Sequence, residues 1–407
     1  MSAPLSFPGR LDVGAVAAAV AFLILPACVL SVPFATPLLS AAALCALVLQ
    51  RAQDGRWPRP PRLLSALLAI LVVYGAASSL WSVSAHLSLL LAGQLAGLFA
   101  AGLVLCDAAA RLDDGARVRV ERAFLAGFFF GLAFLAFEDL SNASIDNYLR
   151  HLHWVEAVIG VERPIALYAH FDRQATLVGL LVWPAAAIAD RRSAWLALLV
   201  ILAAASVVAL GHSATAQVAY VAGVVAYGAA RLRPRLALAI VSACLAAYLV
   251  AAPIALHSHV LGRLNPYLPP VKASSFDHRL DIWDFAIQNI RAKPTFGWGL
   301  NSSRDLPGGH DLVAHNAELM PLHPHDMALQ LRLELGLPGL ILGLAIVLAI
   351  AAAAARAGGG GPGRAAAVAL IAAAATNSLT GYDLWHPWWL SFLWLAAAIA
   401  NATERAR

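Results

Sequence analysis

Residues 327–355 read MALQLRLELGLPGLILGLAIVLAIAAAAA, an apolar run whose charged side chains, Arg332 and Glu334, both lie in its first third. An apolar run of about 18 residues or more is long enough to cross a bilayer as a helix. The whole chain has a similar character: of its 407 residues, 61% are hydrophobic and 13% are charged, and the mean hydropathy is +0.73. A soluble domain carries about 25% charged residues. The sequence therefore predicts an all-α polytopic membrane protein embedded in a lipid bilayer.

Apolar stretches of membrane-spanning length occur about twelve times along the chain. We expect spans near residues 12–33, 34–50, 63–80, 86–106, 120–139, 173–189, 195–210, 214–230, 236–254, 327–355, 365–380 and 387–401. The predicted organisation has nine spans in residues 1–254, with a polar segment at 140–172. A large loop at 255–326 follows, and residues 327–407 hold the last three spans.

Basic residues divide the connecting segments into two groups. Most of the 28 Lys and Arg residues lie in alternate short connections, at Arg51, Arg56, Arg59, Arg62, Arg111, Arg117, Arg119, Arg122, Arg191, Arg192, Arg231, Arg233, Arg235, Arg356 and Arg364. The intervening turns hold none, near 33–34, 81–85, 211–213 and 381–386. The positive-inside rule then places the basic connections and both termini in the cytoplasm. The segments 140–172 and 255–326 face the opposite side, and the scattered positive charge gives no reason to expect nucleic acid as a partner.

Cysteine and histidine spacings give no metal or disulfide pattern. The cysteines lie in or beside apolar stretches without any CxxC pair, at Cys28, Cys45, Cys106 and Cys244. The histidines of the large loop do not match a standard ligand spacing, at His310, His315, His323 and His325. We therefore expect no metal and no cofactor.

The large loop contains an amphipathic helix at SSFDHRLDIWDFAIQNIR (274–291), which has apolar residues at helical spacing. Arg279 lies one turn before Trp283 on the same side of this helix. An arginine held in this way is able to present its planar fork to a phosphate. The alternative is a surface arginine that reaches to the membrane interface.

The segment HPHDMALQLRLELGLPG (323–339) leads from this loop into the tenth span. Asp326 is an expected N-cap, which puts His325 at the membrane surface beside a helix terminus. Arg332 follows two turns later on the same face. Charged residues at bilayer depth usually face protein or water. The alternatives are a capping or interfacial role for His325 and a structural pair between Arg332 and Glu334.

Two further polar positions lie on the same predicted side. Arg173, in FDRQA (171–175), begins the sixth span at a helix N-terminus, where backbone N–H groups favour anions. Interfacial anchoring is an equally simple explanation. Ser213, in GHSAT (211–215), lies in the turn before the eighth span and either lines the same cavity or caps a helix.

Several of these segments resemble the O-antigen ligase and polymerase superfamily. The similar features are Arg279 with Trp283, PTFGWG at 294–299, and the His-Asp…Glu-Leu-Gly-Leu-Pro-Gly pattern at 325–339. FDRQATLVGLLVWP (171–184) is similar to the Asn-Arg-Gly-Ala segment of the ligases, and YDLWHPWWLSFLWL (382–395) resembles their Trp-rich last span. Together these segments cover about a quarter of the chain.

The resemblance implies a GT-C-like glycosyltransferase that acts without metal. It implies transfer of O-antigen from undecaprenyl diphosphate onto lipid A–core in the bacterial inner membrane, with a periplasmic active site. The family's key histidine corresponds to His325 and its loop arginine to Arg279, whereas Arg173, Arg279 and Arg332 would bind diphosphate. Supporting roles would fall to His323, Asp326, Gln330, Glu334, Trp283 and Ser213.

Two departures from the family pattern affect these expectations. The residue after the histidine is usually Asn and here is Asp326, and many members have Ser-Arg where this chain has Ser213 and Ala214. Arg173 is a candidate for the missing cation. An O-antigen or exopolysaccharide polymerase and a protein O-oligosaccharyltransferase remain alternatives. A transporter is less favoured, because the charged residues cluster at the predicted outer boundary.

Overall fold

The computed structural model describes residues 12–151, 171–211, 213–257, 270–312, 317–356 and 361–403. All regular elements in these ranges are helices, and paired extended backbone is limited to one isolated bridge between Leu312 and Glu318. The all-α prediction is therefore confirmed for this part of the chain.

Fourteen α-helices occur in the described ranges. In chain order they are α1 (Val13–Leu30), α2 (Ala35–Asp54), α3 (Arg62–Ala77), α4 (Ala85–Ala110), α5 (Asp114–Leu140), α6 (Ser144–His151), α7 (Phe171–Asp190), α8 (Ala194–Leu210), α9 (Ala214–Leu232), α10 (Pro234–Ala255), α11 (Pro270–Ala292), α12 (Met327–Arg356), α13 (Gly361–Thr380) and α14 (Pro387–Thr403). Each predicted span coincides with one of them. The other two, α6 and α11, lie in the two long polar segments, of which residues 152–170, 258–269 and 313–316 lie outside the described part.

Seven of the helices are long and apolar enough to cross a membrane, namely α1 to α5, α10 and α12, and α8 is apolar but shorter. The chain is therefore a multi-pass membrane protein. Among the remaining predicted spans, α7 is buried along almost its whole length, and Leu177, Leu181 and Trp183 are fully buried. Because other helices surround α7, little of its surface would face lipid. It can therefore be less apolar than the seven helices named above. The count of twelve spans stays a prediction.

Short polar side chains begin several helices directly after the basic connections. Asp113 Oδ1 accepts from Ala116 N at 2.8 Å at the start of α5. Ser193 Oγ accepts from Trp195 N at 3.2 Å at the start of α8. Each side chain satisfies a backbone N–H group that has no partner within its helix. The caps explain why apolar helices can resume immediately after charged turns.

Arginines gather at one end of the helix bundle. Arg191 pairs with Glu121 at 2.6 Å and donates to Thr403 O at 2.6 Å, and Arg231 pairs with Asp190 at 2.9 Å. These contacts join the last turns of α7, α9 and α14, whose carbonyl ends favour positive charge. Because α7, α9 and α14 run in the same direction, their first turns meet at the opposite end of the bundle. Residues 1–11 and 404–407, which hold the predicted cytoplasmic termini, lie outside the described residues.

Helix α12 is broken at Gly336, where φ is 62° and ψ is −147°. The loop before α12 fills this break: Trp298 N donates to Leu333 O at 2.9 Å, and Gly299 N donates to Glu334 O at 2.8 Å. Leu337 N in turn donates to Thr295 O at 2.9 Å. Irregular backbone at membrane depth is tolerated where protein satisfies its polar groups. The PTFGWG segment is therefore the structural partner of this break.

Candidate active site

The start of α12 is fixed by Asp326, which is fully buried. Asp326 Oδ1 accepts from Leu329 N at 2.8 Å, and Oδ2 accepts from Tyr248 OH at 2.6 Å. Burial raises the pKa of the Asp326 carboxyl to about 6, although these hydrogen bonds act in the opposite direction. The predicted N-cap is therefore present. It also ties the first turn of α12 to α10.

His325 has a left-handed backbone conformation, with φ at 54°. Such a conformation costs a residue other than glycine about 1–3 kcal/mol and is common at functional sites. His325 N donates to His323 Nδ1 at 3.1 Å, and the two ring centroids lie 4.2 Å apart. His325 Nδ1 lies 2.9 Å from Gly381 O. Because a carbonyl oxygen can only accept, Nδ1 carries the proton of the neutral ring and Nε2 keeps a free lone pair.

Both histidines are held in the neutral form. Burial lowers the pKa of His325; the bond to Gly381 opposes this, and the nearby Arg279 adds to the lowering. For His323, burial followed by the charges of neighbouring histidines and arginines lowers the pKa to about 2. At neutral pH the pair therefore adds no positive charge, and His325 Nε2 is able to accept a proton.

Arg279 lies beside His325. Its Nη1 donates to Thr380 O at 2.6 Å, one residue before the carbonyl that His325 contacts. Trp283, one turn later in α11, donates from Nε1 to Pro324 O at 2.9 Å. This second bond fixes α11 against the segment that carries His325. The structure thus brings together the two residues expected to act in catalysis.

Glu334 is a fully buried carboxylate at the centre of the loops around the site. It accepts from Ser303 Oγ at 2.5 Å, from Asn301 N at 2.7 Å and from Trp385 Nε1 at 2.7 Å. Gln330 Nε2 adds a longer bond of 3.3 Å. The alternative of a structural Arg332–Glu334 pair is therefore wrong, because other donors occupy the carboxylate.

Gln330 attaches the turn at 381–386 to α12. Its Nε2 donates to Asp383 Oδ1 at 2.7 Å, and its Oε1 accepts from Leu384 N at 3.0 Å. Asp383 Oδ1 also accepts from Trp385 N at 3.0 Å. This turn begins with the Gly381 carbonyl that binds His325, so Gln330 supports the site indirectly.

Arg332 does not join this group. Its Nη1 is buried and has no hydrogen-bond partner within the described residues, and no contact links it to His325 or Arg279. The sequence predicted that Arg332 and His325 lie on the same face of α12. They do not, because His325 precedes the N-cap and has a left-handed backbone conformation, so the periodicity of the helix does not extend to it. A diphosphate role for Arg332 stays a prediction.

Arg173 lies over Trp388, with Cζ 5.8 Å from the ring centroid, a cation–π geometry. Tyr382 packs on the same ring at 5.0 Å and shares a hydrogen bond of 2.8 Å with Thr176 Oγ1. The pKa of His386 is lowered, mainly by desolvation, while the charge of Asp383 opposes this change. Arg173 lies close enough to His386 to add to the lowering. The turn at 381–386 thus connects the start of α7 to the histidines.

Ser213 caps α9: its Oγ accepts from Ala216 N at 3.3 Å. Of the two expectations for this residue, capping is the one that the structure shows. Its neighbour Thr215 comes closer to the site, since Thr215 Oγ1 lies 3.4 Å from the Thr380 carbonyl that binds Arg279.

Two residues near the histidines were missed by sequence reasoning, Arg304 and His386. Desolvation is the main cause of the lowered pKa of His323, and the charges of His386 and Arg304 lower it further. Arg304 also contributes to the lowered pKa of His386, again after desolvation. Arg304 lies in a three-residue helical turn, and His386 lies in the turn between α13 and α14. Both elements are too short to show helical periodicity, so the available signal was only their presence on the predicted outer side.

The arginines of this cluster, Arg173, Arg279 and Arg304, are not engaged in ion pairs within the described residues. Asp383, whose charge acts on both His325 and His386, accepts hydrogen bonds from Gln330 and Trp385. In the same ranges no group of three or more His, Cys, Asp and Glu is arranged to hold a metal ion. The arrangement is suited to an anion beside a neutral imidazole.

The central part of the chain is similar to known proteins. Residues 198–344 match the family described as O-antigen ligase. A protein of Rickettsia conorii, named "Putative polysaccharide ligase", is 33% identical over 118 residues, which are 28% of each chain. Proteins of the same name from Rickettsia felis and Rickettsia bellii are 31% identical over 118 residues and 29% identical over 147 residues.

These alignments are partial: they span 28% to 35% of the length of the Rickettsia proteins and 28% to 33% of this chain. The family match contains Arg279, His325 and Glu334, and it leaves Arg173 and the Trp-rich segment 382–395 outside. The resemblance to the O-antigen ligases is confirmed on this basis: residues 198–344 match that family's domain, and they lie within a multi-pass membrane protein.

Proposed function

We propose that this chain transfers O-antigen polysaccharide from undecaprenyl diphosphate onto a sugar hydroxyl of lipid A–core. The observation that carries the proposal is the cluster in which Arg279 and neutral His325 share the end of α13, while no carboxylate of the described residues pairs with the surrounding arginines. A diphosphate is an anion of the kind that such a cluster binds. The family match and the names of the Rickettsia proteins support the same class of reaction.

In this proposal the arginines stabilise the leaving group. The anomeric carbon loses its bond to the diphosphate oxygen, and the negative charge that develops there is bound by Arg279 and Arg173. Preorganised positive charge in a site that excludes water is often the largest contribution to catalysis. No metal is needed for this step, because the guanidinium groups supply the positive charge.

His325 acts as the general base. The acceptor hydroxyl oxygen forms the new bond to the anomeric carbon, and its proton passes to His325 Nε2. The lowered pKa and the bond from Nδ1 to Gly381 O favour this role over that of a protonated phosphate ligand. Direct displacement by the hydroxyl inverts the configuration of the anomeric carbon.

We place the site on the periplasmic face of the inner membrane, in a GT-C-like architecture of twelve spans with both termini in the cytoplasm. The support comes from the helix directions. The basic contacts of Arg191 and Arg231 lie at the ends of α7 and α9, and the site lies at the starts of the same helices. Positive connections mark the cytoplasmic side of membrane proteins.

A polymerase and a protein O-oligosaccharyltransferase would use the same donor chemistry and differ in the acceptor. The lipopolysaccharide of a strain that lacks this chain separates these activities. A missing ligase leaves bare core and polymer on the carrier, whereas a missing polymerase leaves core with a single repeat. A missing protein-modifying enzyme leaves lipopolysaccharide unchanged.

Site variants test the assignment in the complemented strain. We expect His325→Ala and Arg279→Ala to abolish ligation while their membrane levels stay normal. The matched controls are His310→Ala, on an exposed loop, and Arg291→Ala, an exposed arginine in the last turn of α11. Normal polysaccharide attachment by both site variants would overturn the proposal.

A further inference from the structure

A groove of about 290 Å³ lies between α10, α12 and α13, at the opposite end of α12 from Asp326. Ser242 is a polar residue in its wall, and the Ser242 hydroxyl already donates to Leu238 O at 2.7 Å. The rest of the wall is apolar and consists of Leu238, Ala239, Ala351, Ala352 and Ala355. Such a wall favours a hydrocarbon chain over water.

The groove exists because α12 ends in small side chains. Residues 351–355 are five consecutive alanines. Alanine is the best helix former, but its methyl group fills little volume, so α12 leaves space against α10 and α13. An empty apolar space loses van der Waals contacts on one side, and a lipid chain would supply them.

The groove has positive charge at one end. Arg235 of α10 and Arg364 of α13 are among its lining residues. A Cβ built on Gly361, the first residue of α13, would lie 3.3 Å from Arg231 Nη1, and Arg231 pairs with Asp190 at 2.9 Å. The groove therefore opens at the basic end of the helix bundle.

This positive charge has no acidic counterpart among the lining residues. The sequence contains no Asp or Glu in residues 191–276 or 335–382, and these two ranges include every residue that lines the groove. In the described part of the chain, the exposed arginines Arg233, Arg235 and Arg356 form no ion pair. A phosphate group matches the planar fork of arginine and would compensate this charge.

We propose that this groove binds one anionic phospholipid, with its phosphate between Arg235 and Arg364 and one acyl chain along the alanines of α12. The groove is close to the lower limit of about 300 Å³ for small-molecule sites. It therefore holds the phosphate and the first part of a chain, while the rest of the lipid stays in the bilayer. Basic pockets between helices on the cytoplasmic side bind anionic lipid headgroups, and the orientation proposed above puts this groove on that side.

The bound lipid would join α10, α12 and α13 at the end remote from the candidate active site. At the other end, α10 and α12 are already joined by the bond of 2.6 Å from Tyr248 OH to Asp326 Oδ2. A ligand that binds only the folded state stabilises it by mass action. We therefore expect the lipid to raise the melting temperature, and this effect does not depend on the transfer reaction.

The test uses the purified, delipidated full-length protein in a neutral detergent. Native mass spectrometry measures the binding of phosphatidylglycerol and of phosphatidylcholine with the same acyl chains. We expect wild type to bind phosphatidylglycerol more tightly. Because hydrogen bonds to a charged phosphate are lost, the double variant Arg235→Ala/Arg364→Ala should bind phosphatidylglycerol about 10- to 100-fold more weakly. The matched control Arg122→Ala/Arg192→Ala removes the same charge from exposed arginines outside the groove and should change binding little.

A second variant tests the apolar wall. Ala239→Phe fills the groove and leaves both lining arginines in place, so we expect it to weaken phosphatidylglycerol binding as well. Ala203→Phe, at an exposed alanine of α8 outside the groove, is its control and should bind like wild type. Melting temperatures measured without lipid show whether each variant is folded.

Three results would overturn the inference. Equal binding of the two lipids by wild type would show that charge is not recognised, and equal losses in the two double-arginine variants would show a general surface effect. Competition by glycerol 3-phosphate as strong as that by phosphatidylglycerol would indicate a site for free phosphate. If the double variant at the groove does not fold, Ala239→Phe decides, and undiminished binding by that variant would contradict the lipid site.

Discussion

Arg279 and His325 bind consecutive main-chain carbonyls at the end of α13: Arg279 Nη1 lies 2.6 Å from Thr380 O, and His325 Nδ1 lies 2.9 Å from Gly381 O. Helix C-termini leave carbonyl groups without partners inside the helix. Here side chains from two other segments, α11 and the entry to α12, take up those carbonyls. A cation and a neutral imidazole are thereby fixed side by side although 46 positions separate them in the sequence.

The pH dependence of the reaction should report the state of His325. Burial lowers its pKa below the usual value near 6.5. A base with a lowered pKa stays unprotonated until the pH falls below that value, so we expect activity to persist at pH 6.5 and to decline at more acidic pH. The check is a profile of kcat/KM between pH 5 and 8, measured with the purified protein at about unit intervals. A rate that rises on acidification would instead indicate a protonated phosphate ligand.

Replacing Gly336 with alanine should destabilise the protein strongly. At φ 62° and ψ −147° the backbone lies in a region that is essentially restricted to glycine, so an alanine there costs about 1–3 kcal/mol. Its Cβ would also collide with Thr295 O and lie 2.7 Å from Gly297 N, both of which belong to backbone that cannot move independently. Thermal unfolding in detergent measures the effect. Gly228→Ala is the control, because nothing lies within 4 Å of a Cβ there; equal melting temperatures for both variants would contradict the docked-loop arrangement.

Glu334→Gln should loosen the loops around the site without removing a group that contacts substrate. The carboxylate accepts from Ser303, Asn301 and Trp385, and an amide would direct an NH₂ group toward some of these donors. Leaving buried polar groups unsatisfied costs about 1–3 kcal/mol each. We expect a lower melting temperature and faster proteolysis of the segment around residues 299–305. The exposed loop variant Glu318→Gln should behave as wild type, and resistance to protease in Glu334→Gln would count against the role of this carboxylate.

Asp326→Ala should weaken the start of α12. The variant loses the cap on Leu329 N and the bond from Tyr248 OH. Loss of an N-cap costs about 0.5–2 kcal/mol. Tyr248→Phe removes the second bond alone and should cost less, so the order of melting temperatures is wild type, Tyr248→Phe and then Asp326→Ala. The reverse order would show that the cap contributes little.

Arg332→Ala should raise the KM for the donor less than Arg279→Ala does. Arg332 makes no contact with the histidine cluster, whereas Arg279 lies within it. Donor titration with both purified variants decides the question. An equal or larger increase for Arg332→Ala would restore it to the diphosphate site and would require α12 to rotate or unwind at its start.

The helices were predictable because each follows from local composition. Apolar runs fix α1 to α5 and α12, and caps such as Asp113 mark where helices resume. The break at Gly336 was also predictable, since glycine and proline within a helical run interrupt it. Its partner was not. That Thr295–Gly299 fills the break depends on backbone hydrogen bonds between segments far apart in the sequence, which leave no periodic signal.

The site residues that belong to a recognisable motif were predictable from the sequence. Those that lie in short turns between helices were not. Arg279, His325 and Asp326 were found from helical spacing, capping and family resemblance. Arg304 and His386 lie in turns whose position is set by Glu334 through Ser303 and Trp385. Arg332 was placed near His325 by counting helical turns, and the left-handed conformation of His325 invalidates that count.

The central claim is that His325 accepts the acceptor's proton while Arg279 binds the donor diphosphate. Single-turnover transfer of glycan from a polyprenyl diphosphate donor, measured with the purified full-length protein, tests it most directly. We predict that His325→Ala slows transfer by about 10²- to 10⁴-fold with donor binding nearly unchanged. Arg279→Ala should weaken donor binding itself. Transfer by His325→Ala at the wild-type rate would contradict the account.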